Sequence, residues 1–546
     1  MRAYRNRWMA ALCCLFLTTP AHGQSAPLVK LEAGTVRGSH VDGLSVFKGV
    51  PFAAPPVGPL RWHAPEQPKP WQGVLDGTHF APACPQTGMP DQNQGGMRTS
   101  EDCLYVNVWT PTHAGSAPLP VMVWIYGGGF TQGATSISTY SGSRLAQKGV
   151  VVVSIAYRVG PFGFLATPGL TRESAHRSSG NYGLLDQIAG LQWVKHNIAA
   201  FGGNPDRVTI FGESAGGISV SMLCASPLAK GLFQGAISES GGNFGPPLMN
   251  DGDGAENQGG ANVRPLKLAE RVGEAYLKSL NVSSISDARN LTMGQLLAAA
   301  GPAIGGHRFW PVFDGYVLPG EQYSLYAQGR YNDVPVLIGT NIDEGALFPQ
   351  APNAHAYIDG VRKAYGPFAD RILAAYPGST DAQALRSGRD LFRDTGFVWP
   401  TWAWARLQAR TGKSPVYVYY FGLRPPYAGE PRYADWGAAH AAELPYVFGN
   451  LEPEAFPGGM KWRPLDRAVS DRLVTYWTNF AKTGDPNGGT LMPWPRFEPR
   501  DPRVMFIDQP DMAMSVPNLD RLDLLERYFA WHRAHLSQSL DRGTQR

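Results

Sequence analysis

The sequence predicts an α/β protein built on a mostly parallel central sheet that helices cover on both faces. Continuous apolar runs at residues 121–126, 150–157 and 208–210 are typical of strands that are buried on both sides. Between the second and third runs, residues 182–201 show helical periodicity. An alternation of strand, helix and strand indicates a parallel sheet with helices packed on its faces.

Length and composition favour one large domain over residues 25–546, because the composition is uniform and there is no long linker or internal repeat. Hydrophobic residues make up 43% of the 546-residue chain and charged residues 17%, which suits a sizeable core. The formal net charge of +4 falls to about +1 without the three arginines near the N-terminus. No basic block is left, so nucleic acid is excluded as a partner.

Residues 1–24 have the layout of a secretory signal peptide. Arg2, Arg5 and Arg7 precede an apolar run at residues 9–17, and small residues follow it. A membrane anchor is the alternative, but this run is shorter than the roughly 20 residues that a span requires. We therefore expect a secreted or periplasmic protein.

Two features of the N-terminal third have local structural meaning. Residues 28–36 and 43–50 alternate and break like the two arms of an antiparallel hairpin. Three consecutive glycines, residues 127–129, follow the buried run at 121–126. They could be merely flexible, but backbone N–H groups left uncovered at a strand end are suited to binding an oxyanion.

A serine turn follows the run at residues 208–210. Residues 212–216 read Gly-Glu-Ser-Ala-Gly, and a helix-compatible stretch follows at 218–223. In such a G-x-S-x-G turn the serine adopts a strained backbone conformation that lifts its hydroxyl clear of the sheet. Ser214 is therefore predicted to be a nucleophile, the alternative being a chance match in a loop.

Three cysteines follow the signal peptide, and an exported protein could form one disulfide and keep one thiol. We predict that Cys84 pairs with Cys103. Cys224 lies in the predicted helix behind Ser214, where it is expected to be a small buried hydrophobe.

Several long segments resemble the type-B carboxylesterase family, which includes cholinesterases and many bacterial esterases of the α/β-hydrolase fold. The resemblance implies that fold, with a mostly parallel sheet between helices, and ester hydrolysis through an acyl-enzyme without a cofactor. The segments are residues 47–62, 100–107, 124–130, 180–187, 201–217, 309–319, 334–345, 440–450 and 476–487.

The resemblance implies a Ser-Glu-His order of catalytic residues along the chain. It assigns the acid to Glu344, which follows the apolar run at residues 334–339. Its neighbour Asp343 is the alternative, with a solvated or loop-bonding role if it is not the acid. Adjacent side chains on an extended backbone point opposite ways, so only one of the two can face the base.

The resemblance also assigns the base to His440, within residues 437–449. His196 and His307 are the alternatives, expected on a helix surface and in a loop. The base would take the proton of Ser214 during attack and return it to the departing alcohol, while the acid holds the imidazole in place.

Backbone N–H groups of Gly128, Gly129 and Ala215 are the oxyanion donors that the family resemblance implies. No metal is expected, because there is no helix with paired histidines, and the glycine run lacks the Lys-Ser/Thr ending of a phosphate loop. Glu213 matches an acidic residue of the family's pocket floor, but a purely structural role is an equal alternative.

Arg61 and Glu101 match a structural ion pair of the family and are given no chemical role. Two regions could shape the mouth of the site: a glycine-rich insertion at residues 245–265 and the segment 349–364. Neither region identifies a substrate.

The expected partner is a small-molecule ester. Some extracellular bacterial relatives remove polycarboxylate groups from mycotoxins such as fumonisins, and others cleave simple esters. Two alternatives stay open: a catalytically inactive adhesion or binding protein of the same fold, and an amidase. The first is disfavoured because the serine, acid, histidine and glycine loop are all present.

A choline ester is not the expected substrate. Cholinesterases bind the quaternary ammonium on a tryptophan in their small disulfide loop, and the corresponding residues 85–102 include no aromatic side chain. They do include Arg98, which would suit an ester bearing carboxylates if it faced the site. The alternative is that Arg98 points to solvent.

Overall fold

The computed structural model describes residues 25–87, 97–112, 115, 117–249, 263–301, 309–427, 433, 435–451 and 460–543. The predicted signal peptide, residues 1–24, lies outside this part of the chain. The division of the chain into a signal peptide and one domain therefore stays a prediction.

Sixteen strands occur in the described residues. In chain order they are β1 (Leu28–Lys30), β2 (Thr35–Arg37), β3 (Ser39–Val41), β4 (Leu44–Pro51), β5 (Val74–Asp76), β6 (Tyr105–Pro111), β7 (Leu119–Ile125), β8 (Val151–Ile155), β9 (Gly203–Glu213), β10 (Gly235–Glu239), β11 (Arg264–Pro265), β12 (Val312–Phe313), β13 (Val336–Asn341), β14 (Val416–Phe421), β15 (Arg503–Ile507) and β16 (Met512–Ser515).

Eleven of these strands form the central sheet, in the order β16-β15-β14-β13-β10-β9-β7-β8-β6-β4-β3. The pairs from β15 through β14, β13, β10, β9 and β7 to β8 are all parallel, and antiparallel pairs lie only toward the two edges. Every residue of β8, β10, β13 and β14 is buried. Because successive side chains of a strand point to opposite faces, both faces of the sheet are covered. The predicted fold class is confirmed.

The helices connect the strands and cover the sheet. In chain order they are α1 (Ser143–Ala146), α2 (Gly160–Phe164), α3 (Pro168–Glu173), α4 (Tyr182–Asn197), α5 (Ala215–Ala225), α6 (Leu266–Ser279), α7 (Ile285–Arg289), α8 (Met293–Ala298), α9 (Gln322–Ala327), α10 (Ala354–Tyr365), α11 (Ala369–Ala375), α12 (Asp381–Arg393), α13 (Trp399–Thr411), α14 (Leu444–Phe448), α15 (Pro464–Thr483) and α16 (Leu519–Gly543). A π-helical turn, Asp394–Val398, joins α12 to α13.

The predicted N-terminal hairpin is wrong in its pairing. Residues 28–36 do not pair with residues 43–50: β1 pairs with β2, and β4 pairs with β3 and with β6. The N-terminal segment therefore forms two separate antiparallel pairs, and only the second belongs to the central sheet. Within the described ranges, no helix combines the length and the apolar character that a membrane span requires.

Candidate active site

Ser214 lies at the turn between β9 and α5, in a strained backbone conformation. Its φ is 56° and its ψ is −124°, although it has a side chain. The turn is tight enough that a Cβ on Gly216 would lie 2.0 Å from the carbonyl oxygen of Ile125, in β7. A glycine is therefore required at this position for the turn to pack against the neighbouring strand.

The structure brings Ser214, His440 and Glu344 together. The His440 Nε2 atom lies 2.9 Å from the Ser214 hydroxyl, and the Nδ1 atom lies 2.6 Å from a carboxylate oxygen of Glu344. His440 is 8% exposed and Glu344 is fully buried. The serine and the acid follow the carboxyl ends of β9 and β13, and the histidine is in the loop after β14, so all three meet at one edge of the sheet.

Glu344 is held by two further hydrogen bonds. Its second carboxylate oxygen accepts from the hydroxyl of Ser240 at 2.5 Å and from the backbone N–H of Asn341 at 2.8 Å. Ser240 has a positive φ of 48° and directly follows β10. Ser240 is not predicted from the sequence, although its place at the end of a strand beside the serine turn is a signal that could have indicated it.

Asp343, the alternative acid, lies close to the triad but points elsewhere. Its carboxylate accepts the backbone N–H of Ala438 at 2.8 Å. The two acidic residues do not diverge by strand alternation as expected, because β13 ends at Asn341 and a 3-10 turn begins at Glu344. The turn, rather than an extended backbone, separates their directions.

The glycine loop after β7 lies against the serine turn. Gly128 and Gly129 both have positive φ, at 102° and 63°. A Cβ on Gly128 would lie 2.3 Å from the backbone oxygen of Gln132, so this path is open only to glycine. Ala215 is the first residue of α5, where N–H groups have no partner within the helix. The three predicted oxyanion donors are thus placed on the loop and the helix end that border Ser214.

Three further carboxyl groups are buried beside the triad: Glu213, Glu239 and Glu443. One Glu213 oxygen lies 3.2 Å from the Nε2 atom of His440. Burial raises the pKa of Glu213 to about 8 and that of Glu443 to about 7, and it holds the pKa of Glu239 well above its ordinary value. Burial therefore favours the neutral form of all three carboxyl groups. Of the three, only Glu213 is a candidate site residue from the sequence.

Aromatic rings pack on the imidazole of His440. The ring centres of Phe397 and Phe348 lie 4.7 Å and 5.3 Å from the imidazole centre. Phe397 belongs to the π-helical turn between α12 and α13. These rings limit the positions that the imidazole can adopt and provide an apolar wall beside it.

A serine, a buried histidine and a buried glutamate thus form one hydrogen-bonded line, and comparison with known proteins gives the family. Residues 25–523 match the Carboxylesterase family, a range that includes all three of these residues. The chain belongs to the carboxylesterase family. It is therefore an enzyme that hydrolyses carboxylic esters.

Relatives of this carboxylesterase include the fumonisin B1 esterase of Sphingopyxis macrogoltabida, which is 36% identical and is matched over 92% of this chain and 90% of its own. The para-nitrobenzyl esterase of Bacillus subtilis is 37% identical over 88% of this chain and 94% of its own. A solved structure of PNB esterase superposes with a TM-score of 0.77 at 36% identity, covering 92% of this chain and all of the other.

The predicted disulfide, free cysteine and ion pair all lie within the described part of this carboxylesterase. Cys84 and Cys103 form a disulfide, and Cys224 is a buried free thiol in α5. Arg61 and Glu101 form the expected ion pair, with a shortest N–O distance of 2.5 Å. The described residues contain no group of three or more His, Cys, Asp or Glu side chains that could hold a metal ion.

The remaining candidates are exposed or lie outside the described residues. His196 is exposed on α4, and Arg98 is exposed in the disulfide loop. His307 and residues 88–96 of that loop are not among the described residues.

Proposed function

We propose that this carboxylesterase acts through Ser214, His440 and Glu344 by way of an acyl-enzyme. The observation that supports these roles is the continuous hydrogen-bonded line from the Ser214 hydroxyl through both imidazole nitrogens to the buried Glu344 carboxylate. A serine hydroxyl is a weak nucleophile by itself, and a base within hydrogen-bonding distance activates it.

In the proposed reaction, the Ser214 oxygen attacks the ester carbonyl while His440 Nε2 takes its proton. The N–H groups of Gly128, Gly129 and Ala215 donate to the oxygen that becomes negative in the tetrahedral intermediate. The intermediate collapses as His440 returns the proton to the departing alcohol. A water molecule then gives a proton to His440 and attacks the acyl-serine. His440 returns the proton to the Ser214 oxygen as the carboxylic acid leaves, which restores the free enzyme.

We further propose an ester that carries free carboxylate groups, such as an ester of a fumonisin-type secondary metabolite. The support is the relative named for fumonisin B1, which matches over most of both chains. The side chain of Arg98 is exposed, and this half of the proposal rests on the similarity to that relative.

Replacing Ser214 by alanine tests the catalytic roles. We expect the variant to fold normally and to lose ester turnover, because the turn accepts a smaller side chain and the oxyanion donors are backbone groups. Ester hydrolysis and circular dichroism are measured on the same samples. A folded Ser214→Ala variant with near-normal rates would remove Ser214 from the mechanism.

A substrate panel tests the substrate class and the alternatives. Specificity constants are compared for fumonisin B1, simple aryl esters, matched amides, and a choline ester with its uncharged isostere. We expect no preference for the choline ester, because the aromatic contact that it needs stabilises a bound cation by about 2 kcal/mol or some thirtyfold.

Faster cleavage of amides would indicate an amidase, and a folded wild-type protein that cleaves no ester would indicate an inactive binding protein. Indifference to the carboxylates would reject the fumonisin-type substrate.

A further inference from the structure

We propose that Asp343 is a positioning residue for His440, which it serves by fixing the three residues that precede the histidine. These residues, 437–439, are called the histidine loop below. The inference rests on the proposed function, because a positioning role requires that His440 be the base.

Asp343 binds the histidine loop through both its backbone and its side chain. Its backbone N–H donates to the carbonyl oxygen of Ala438 at 3.1 Å, and its carboxylate accepts the N–H of Ala438 at 2.8 Å. A parallel bridge between Asp343 and Ala439 extends the contact. Both hydrogen-bonding groups of Ala438 are thus bound to one residue, which fixes the peptide planes on its two sides.

Neighbouring residues bind the rest of the histidine loop. The side-chain amide of Asn341 donates to the carbonyl oxygen of Ala439 at 2.8 Å, and the hydroxyl of Tyr427 donates to that of Gly437 at 3.1 Å. Every residue of the loop therefore has at least one fixed backbone group. Asp343 is the one that binds the middle of the loop from both sides.

The loop sequence leaves room for the Asp343 carboxylate. Gly437 has a φ of 60°, and a Cβ at this position would lie 2.0 Å from the carboxylate oxygen that binds Ala438. A side chain at position 437 and the Asp343 carboxylate cannot occupy the same space. The glycine at position 437 therefore leaves the space that the Asp343 carboxylate occupies.

Fixing the loop matters because the chemistry depends on a short distance. The imidazole must stay within hydrogen-bonding distance of both Ser214 and Glu344, which are 2.9 Å and 2.6 Å from its two nitrogens. A displacement of about 1 Å in a reacting group can lower a rate by about a hundredfold. Asp343 and Glu344 are adjacent, so one turn of the chain places both the acid and the support for the base.

The test compares Asp343→Ala with Asp343→Asn. The alanine variant loses the acceptor for the Ala438 N–H, and we expect kcat to fall by about ten- to a hundredfold with KM within about twofold of wild type. Asparagine keeps an acceptor oxygen, so we expect its kcat to stay within about threefold of wild type. Melting temperatures are recorded for each variant.

Asp333→Ala is the matched control. Asp333 precedes the same strand, β13, and its carboxylate also accepts backbone N–H groups from the chain before β14, those of Lys413 at 2.7 Å and Ser414 at 3.3 Å. It lies at the opposite end of β13 from the triad. We expect Asp333→Ala to leave kcat unchanged. Comparison with Asp343→Ala then shows whether the fall in kcat is specific to Asp343 or follows the loss of any carboxylate that binds backbone N–H groups.

Gly437→Ala provides a second test. Its methyl group would push the Asp343 carboxylate out of place, although Asp343 itself is not replaced. We expect the same fall in kcat, and this variant replaces Asp343→Ala if that protein does not fold. Wild-type kcat in either variant would overturn the inference. So would an Asp343→Asn variant as impaired as Asp343→Ala, since the charge rather than the acceptor would then matter.

Failure of the proposed function has a different outcome. An active Ser214→Ala protein, or a wild-type protein without esterase activity, would overturn the triad and the positioning role together. Normal triad behaviour with an unaffected Asp343→Ala variant would overturn the positioning role alone.

Discussion

His440 is the residue on which opposing electrostatic effects meet. Burial disfavours its charged form, whereas Glu213, Glu344 and Glu443 favour that form, and the net effect raises the pKa of His440 to about 9. Glu213 lies 3.2 Å from the nitrogen that faces Ser214, so the two groups titrate as a pair. The protonation of His440, the proposed base, therefore depends on the charge of Glu213.

Glu213→Gln should move the low-pH limb of the activity profile to lower pH. A general base must be neutral, so activity is lost as the pH falls through the pKa of His440. Glutamine cannot carry the negative charge that a protonated imidazole induces on Glu213, so the imidazolium becomes less stable and its pKa falls. The measurement is kcat/KM against pH for both proteins. A limb that stays in place or moves to higher pH would contradict this account of the pair.

Glu344→Gln should impair turnover less than His440→Ala does. Loss of the base removes proton transfer altogether, and we expect a fall in kcat on the order of 10⁵- to 10⁶-fold. Loss of the acid leaves a base that is present but poorly held, for which we expect a fall on the order of 10³- to 10⁴-fold. Wild-type activity in Glu344→Gln, together with an inactive Asp343→Asn, would transfer the acid role to Asp343.

At the level of the elements, a buried ion pair joins α4 to the residues just after β8. We expect the stability of the folded protein to depend on this pair. Arg158, just after β8, donates to Asp186 of α4 from its backbone N–H at 3.0 Å and from its guanidinium at 2.8 and 2.7 Å. Both side chains are almost fully buried. Neither group has water available to replace its partner, so the pair is sensitive to the loss of one member.

Asp186→Ala should lower the free energy of unfolding by about 3–5 kcal/mol, because it leaves a buried guanidinium without its carboxylate. The control is Asp206→Ala, which removes the exposed partner of Lys195 on the same helix and should lower it by less than about 1 kcal/mol. Urea denaturation of both variants gives the comparison. Equal effects would mean that burial of the Arg158 pair has no special weight.

The sequence predicts the central elements better than the peripheral ones, for a physical reason. A strand buried on both faces leaves a continuous apolar run, and β8 lies within the predicted run at residues 150–157. The short strands near the N-terminus are partly exposed and leave no such pattern, and one of the two partners of β4 in the sheet, β6, is distant in the sequence. The order of pairing there depends on contacts that local sequence does not specify.

The same limit applies to the candidate site. Ser214 and the glycine loop have local sequence patterns that follow from backbone geometry. Ser240 bonds to a carboxylate 104 residues away, and a serine after a strand has no pattern that indicates such a partner. The direction of Asp343 depends on the turn that begins at Glu344, and strand alternation gave the wrong reason for it.

For the whole molecule, one disulfide and one buried thiol lead to a prediction about the three cysteines after residue 24. Mass mapping without reduction should find Cys84 bound to Cys103. Replacing both by serine should lower the free energy of unfolding by about 3 kcal/mol, the chain-entropy value for a loop of about 20 residues. Burial raises the pKa of the Cys224 thiol to about 12, so a thiol reagent should label it only after unfolding. Rapid labelling of the native protein, or Cys224 in a bridge, would contradict this.

The wide separation of Ser214 and His440 along the sequence also affects when activity can begin during synthesis. The two residues are 226 positions apart. At a synthesis rate of about 5–20 residues per second, the histidine is made roughly 10–45 s after the serine. Throughout that interval the growing chain holds an ordinary, unassisted hydroxyl, which is a weak nucleophile. On the proposed mechanism, hydrolytic activity begins only when the part of the chain that follows β14 has been made, and the ribosome carries an inert polypeptide until then.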